Sequence, residues 1–300
     1  MIRKTMIKQK KRLLLSALIL AVCLPLIIFS FRSPVLIVVE ESFIRLYGDE
    51  RLKKDAFKTS LAIFRPIKTV NIANDAGDDI IPYAVMEVSS RPFCVIFPVR
   101  FSRSASMYRE KNNKTSIVIL TGRETQTEEP EAFNGFYVYR TDIDADFYRA
   151  GRAAAIFAGE KGNIAVFIDS NQNLLIGAQI RDSFLRGARQ QNAAGQISFF
   201  TDFPDFPDDF DPSCVVLAGS GIDFLDRKAG IPVILFSWLN PSAAPLDIVL
   251  IIDDSPLTQV SPVAGMVFSG ISEGQIRSKF TVLNPKEIDK EVLRKINKIE

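Results

Sequence analysis

From residue 34 onward, apolar runs rich in Val, Ile and Phe recur along the chain, with helical or mixed stretches between them. The runs are "PVLIVVE" (34–40), "KTVNIAN" (68–74), "FCVIFPV" (93–99), "TSIVILTG" (115–122) and "GFYVYRT" (135–141). They continue with "GNIAVFIDS" (162–170), "GQISFFTD" (195–202), "SCVVLAGSG" (213–221), "IPVILFSW" (231–238), "DIVLIIDD" (247–254) and "KFTVLNP" (279–285). Continuous apolar strands are buried on both faces, which marks parallel sheets covered by helices. The pattern therefore predicts an α/β fold.

The intervening helices carry a different period. "DERLKKDAFKTSLAIF" (49–64) opens with acids and sets Leu52, Ala56, Leu61 and Ile63 against a Lys-rich face. "DADFYRAGRAAAIFAGEKG" (144–162) has Asp144 as an N-cap and Gly159 or Gly162 near its end. Its small face, Ala150, Ala154 and Ala158, lets a neighbour approach closely. In "NLLIGAQIRDSFLRGARQQN" (173–192), Ile176, Ile180, Phe184 and Ala188 recur at helical spacing. "NPKEIDKEVLRKINKIE" closes the chain as a charged, peripheral helix, and Pro262 predicts a kink or a helix start within "PLTQVSPVAGMVFSG". Two groups of βα units follow one another, over about 34–142 and 144–253, before a terminal piece at 255–283.

The first residues settle the expected compartment. "MIRKTMIKQKKR" carries six positive charges and no acid, and Leu13–Phe31 follows without a charge. A basic flank before an apolar run of that length reads as a cytoplasmic start (1–12) and a single uncleaved transmembrane signal-anchor (13–31). The remainder is then extracytoplasmic, on the periplasmic side of a bacterial inner membrane. "LAVC" (Leu20–Cys23) also resembles a lipobox, with Cys23 as the lipidated residue.

Composition removes several chemistries. The chain has 300 residues, a net charge of +2 and no histidine. That excludes Ser-His-Asp and Cys-His nucleophile pairs and His metal sites, and the balanced charge gives no footprint for nucleic acid. Cys94 and Cys214 each open an apolar run and read as buried strand thiols. No Gly-rich phosphate loop follows a strand, "GSGID" being too short. The residues point away from an enzyme and imply no cofactor or metal.

The order of elements resembles the type 1 periplasmic binding proteins, the solute receptors of bacterial ABC transporters, including the basic membrane protein nucleoside receptors. The residues that carry the resemblance are "DFYRAGRAAAIFAGEKGNIAVFIDSNQNLLIGAQIRDSFLRGARQQ", "DPSCVVLAGSGIDFL", "AGIPVILFSW" and "IVLIIDDSPLTQVSPVAGMVFSG". The resemblance implies two Rossmann-like lobes, each a parallel sheet flanked by helices, joined by crossing hinge segments. Lobe one is expected at 34–142 plus 255–283, lobe two at 143–254, and a C-terminal helix at 284–300. It implies a small polar solute, a sugar or nucleoside, held between the lobes, and an ABC permease or a sensor protein as partner. An envelope protein that keeps the fold without the pocket is the alternative.

In such sheets ligands sit outside the carboxyl ends of the strands. Lobe one then contributes Glu41, Ser42, Arg100, Ser102, Thr121 and Arg123, and lobe two contributes Asp169, Ser170, Asn171, Ser220, Trp238 and Asn240. Asp253 and Asp254 lie where the chain crosses back. "FFTDFPDFPDDFDPSC" (199–214) falls where the resembled family has a crossover helix, which its three prolines forbid. Phe203, Phe206 and Phe210 are expected to turn inward there and cover the sheet.

Overall fold

The computed structural model describes residues 24–25, 27–121, 136–168, 174–201, 207, 209–218, 230–236 and 247–299. Each expected βα group forms its own six-stranded sheet. The first sheet comprises β1 (Val35–Glu40), β2 (Ile67–Ile72), β3 (Cys94–Pro98), β4 (Ser116–Thr121), β5 (Phe136–Thr141) and β11 (Glu273–Ile276). Its order is β11-β5-β4-β3-β1-β2, parallel throughout. Strand β1 is buried along five of its six residues, which explains why its sequence is unbroken Val, Leu and Ile.

Helices cover both faces of this sheet. On one face lie α1 (Glu41–Tyr47), α2 (Asp49–Ile63) and α7 (Pro256–Phe268), which pack through Tyr47, Leu52, Leu257, Val260 and Val263. On the other lie α3 (Ile81–Val88) and α4 (Ser102–Lys111), through Ile81, Val85, Ala105 and Tyr108. Helix α2 ends at Phe64 in the left-handed conformation (φ 50°), two residues before Pro66, which bars its continuation. Leu61, expected on the inward face of α2, is exposed. Leu52, Ala56 and Ile63 do face the core, with Ser60 buried beside them, and Phe57 points outward with Leu61. Helix α7 begins at Pro256 and runs unbroken through Pro262.

The second sheet comprises β6 (Ile164–Ile168), β7 (Ile197–Phe200), β8 (Cys214–Ala218), β9 (Val233–Phe236), β10 (Ile248–Asp253) and β12 (Lys279–Val282). Its order is β12-β10-β9-β8-β6-β7, with β12 antiparallel to β10. The boundary at 283 therefore changes: only 256–276 returns to lobe one, and Lys279–Val282 belongs to lobe two. Helix α8 (Lys290–Ile296) is not peripheral either, because Ile296 and Ile299 are buried in the lobe-two core. Phe280, Ile296 and Ile299 supply the apolar contacts that fix this tail there.

Helices α5 (Ile143–Ala158) and α6 (Leu174–Arg189) share the face of sheet two covered by α8. The N-cap of α5 is Asp142, which accepts a hydrogen bond from the Ala145 N–H at 3.0 Å, two residues earlier than Asp144. Ala150 and Ala154 are buried as expected, with Ile180, Phe184 and Ala188 of α6. Two glycines set the closest approach: a Cβ on Gly151 would stand 2.1 Å from the Phe184 carbonyl oxygen, and one on Gly187 2.0 Å from that of Tyr148. On the opposite face Phe210 turns inward and meets Phe200 edge-on at 5.9 Å. Phe203 and Phe206 lie outside the described residues. Cys94 and Cys214 are buried free thiols, and burial pushes the Cys94 thiol up to about 12.

Candidate functional site

Three crossings join the lobes: β5 to α5 at Asp142, β10 to α7 at Asp254–Ser255, and β11 to β12 at Arg277–Ser278. All three leave the carboxyl ends of parallel strands. The ends of β1, β3 and β4 in lobe one, and of β6, β8 and β9 in lobe two, therefore lie on the side where the lobes join.

The crossings are built as a hydrogen-bonded block. Asp146 of α5, fully buried, accepts from the Ser278 N–H at 3.1 Å and from the Ser278 hydroxyl. Arg149 donates to Asp146 Oδ1 and to the Ser278 carbonyl, both at 2.6 Å. The third crossing is thereby held to the first helix of lobe two. Arg277 faces Asp142 at 3.7 Å, and the Asp142 N–H donates to the Ile276 carbonyl at 2.8 Å. A buried charge is tolerated only when paired and hydrogen-bonded, and this arrangement satisfies both carboxylate oxygens of Asp146.

Asp253 belongs to the same block. It is 1% exposed and accepts from the Ser255 N–H at 2.8 Å, turning the chain into α7. Arg51, on α2 of lobe one, reaches it at 3.3 Å and lies over the Tyr47 ring at 4.1 Å. Desolvation raises the Asp253 carboxyl above the ordinary carboxylate value, opposed by the bonds from Ser255 and by Arg51. Its place is in the hinge. Thr121 is also buried and donates to the Tyr139 carbonyl at 3.3 Å.

The open edge of lobe one holds the remaining group. Arg100 follows β3, in a short 3-10 turn (Val99–Phe101), and forms an ion pair with Glu40, the last residue of β1. The Ser42 hydroxyl donates to Glu40 Oε2 at 3.1 Å, and the Ser42 N–H donates to Asn74 Oδ1, beyond β2, at 3.0 Å. Three adjacent strands thus deliver a carboxylate, a guanidinium, a hydroxyl and an amide to one spot. Arg100 keeps 42% of its side chain exposed, so its donors reach solvent. Such a set can form paired hydrogen bonds to neighbouring hydroxyls.

Ser42 and Arg100 therefore meet at one edge, each through Glu40. Glu41 is exposed at the start of α1, and its neighbour Glu40 is the carboxylate engaged at the edge. Glu40 and Asn74 were missed, although each closes an apolar run in the sequence, the position where a strand delivers a polar group. Ser102 opens α4. Arg123, Asp169, Ser170, Asn171, Ser220, Trp238, Asn240 and Cys23 lie outside the described residues.

No protein-family model matches the sequence, and no curated protein matches it. Solved structures do. An arabinose-binding protein from Geobacillus stearothermophilus is similar over 89% of this chain and 99% of its own, with 12% identity and a TM-score of 0.59. A periplasmic solute-binding protein of an ABC transporter from Actinobacillus succinogenes 130z, with bound D-allose, covers 88% of this chain and 99% of its own (13% identity, TM-score 0.54). The chain has the type 1 periplasmic-binding-protein fold. A transcriptional activator of the comK gene from Bacillus halodurans is similar as well, with 12% identity and a TM-score of 0.56 over 89% of this chain and 95% of its own. The type 1 fold is thus shared by receptors and regulators, and function has to be argued from the site.

Proposed function

We propose that this chain is a membrane-tethered extracytoplasmic receptor that binds a small polar solute, a sugar or a nucleoside, between its lobes without transforming it. The observation that carries this reading is the Glu40–Arg100–Ser42–Asn74 group at the carboxyl edge of lobe one, the edge from which the crossings leave. Sugar-binding proteins among the similar structures support the solute class. The basic start and the apolar run to Phe31 support the tether. An ABC permease or a membrane sensor would receive the bound form.

Thermal denaturation of the full chain in detergent, against sugars, nucleosides and amino acids, tests this. One class should stabilise the protein by RT ln(1 + [L]/Kd), about 2.7 kcal/mol at a ligand concentration about a hundredfold above Kd. Arg100→Ala and Trp238→Ala should each abolish that gain. A flat response to all three classes would favour an interaction protein that keeps the fold alone.

A further inference from the structure

The base of lobe one, at the amino ends of its strands, carries an apolar surface ringed by cations. Helix α2 delivers Leu61 and Phe64 there, and the end of α7 delivers Phe268 and Ile271, all exposed. Phe268 stacks on Phe93, which precedes β3, at 4.4 Å, and the Arg65 guanidinium lies 4.1 Å from the Phe93 ring centroid. Arg32, Lys68, Arg91 and Lys114 stand exposed around the starts of β1 to β4. Among the described residues the exposed acids of that end are Glu87, Glu110 and Glu273, so the described rim is cationic on balance.

The chain reaches this base from the apolar segment. A helical stretch runs to Phe31, and only Arg32–Pro34 separate it from β1. Three extended residues span at most about 10 Å. The join is also clipped: Phe29 lies 5.8 Å from Phe64, and Arg32 donates to the Phe64 carbonyl at 3.3 Å with its guanidinium over that ring. Leu24, Ile27, Ile28 and Phe31 of the stretch are exposed. A tether this short holds the base near the bilayer.

We infer that the base of lobe one rests on the bilayer surface, with its aromatic and aliphatic side chains at the headgroup boundary and its cations on anionic lipid, and that the cleft edge points away from the membrane. This rests on the tethered reading of the chain with a sensor as its partner, since an ABC permease in the same bilayer would have to meet the cleft edge. Amphipathic surfaces of this kind bind by apolar burial together with attraction to anionic headgroups.

The test places the full chain, with Cys23→Ser, in nanodiscs of phosphatidylcholine with or without phosphatidylglycerol. An environment-sensitive fluorophore is attached at Ile271→Cys, or at Arg189→Cys, exposed on lobe two. Headgroup nitroxide lipids should quench the fluorophore at 271 strongly and leave that at 189 unaffected. Lys68→Glu and Lys114→Glu should each lower the docked population about fivefold in discs containing phosphatidylglycerol. Equal quenching at the two positions overturns the inference. So does a fluorophore at 271 that lipid leaves unquenched but a second copy in the same disc shields. If the chain fails to enter the discs, the tether and the docking fall together, whereas a missing solute response leaves both standing.

Discussion

The two lobes share one plan and finish it differently. Lobe one has helices on both faces of its sheet and large exposed apolar side chains at its base. In lobe two, α5, α6 and α8 crowd one face and Phe200 and Phe210 pack on the other, and none of its described residues is a large exposed hydrophobic. Among its described residues, lobe two pairs an interior closed to the limit of backbone contact with a surface free of large exposed hydrophobics. Lobe one leaves Leu61, Phe64, Phe268 and Ile271 uncovered at the end nearest the predicted tether, and Phe57, Ile80 and Tyr83 elsewhere. The difference teaches that one shared architecture can be specialised by its ends while its sheets stay alike.

The largest effect is expected at the lock that assigns β12 and α8 to lobe two. Asp146→Ala leaves Arg149, a buried cation, without its carboxylate. Breaking a buried pair from one side costs about 3–5 kcal/mol, to be read from the denaturant midpoint. A change below about 1 kcal/mol would mean that the third crossing does not depend on this lock.

A smaller pair of effects contrasts the lobes directly. Gly151→Ala in α5 drives a methyl into the α6 backbone and should destabilise by about 1–3 kcal/mol. Gly265→Ala in α7 of lobe one meets open space and should stabilise by about 0.5–1 kcal/mol. Thermal or denaturant unfolding gives both signs. Equal costs would show that the tight packing is not particular to lobe two.

Much of this was legible in the residues. The strands were, because burial on both faces leaves an unbroken apolar run. The helix 174–189 was, because Ile180, Phe184 and Ala188 repeat on one side. The final strand was legible as a strand but not as a member of lobe two: "KFTVLNP" has the same pattern whichever sheet it joins, and its place is decided by Asp146 and Arg149, well over a hundred residues away. The glycine contact between α5 and α6 was half visible, since the alanines announced a close neighbour and Gly151 among them set the distance. At this edge, Ser42 and Arg100 follow strand ends that the sequence pattern marks. Glu40 was missed by one position, because the carboxylate closing a strand and the one opening the next helix are adjacent in "VVEES" and differ only in where the strand stops. Asp253 was read as a cleft residue because its partner, Arg51, lies about two hundred positions earlier.

That partner makes the subtlest difference between the lobes testable, since Asp253 ends a lobe-two strand and Arg51 sits on a lobe-one helix. Desolvation raises the Asp253 carboxyl despite Ser255 and Arg51. A carboxyl raised on folding binds its proton more readily in the folded state. Its stabilising contribution is complete below the unfolded value and is lost as pH rises through the folded value. Asp253→Asn stays neutral and can still accept from the Ser255 N–H. The variant should therefore gain on the parent as pH rises from below the carboxylate range to neutrality, by about 1.4 kcal/mol for each pH unit by which the carboxyl is raised. Midpoints of thermal unfolding across that range decide it. Parallel curves would mean that Arg51 fully offsets the burial, and the hinge would then be neutral to pH. A gain confined to the higher pH would show that the carboxylate is held at a cost, with Arg51 joining the lobes through a charge that folding alone would leave protonated.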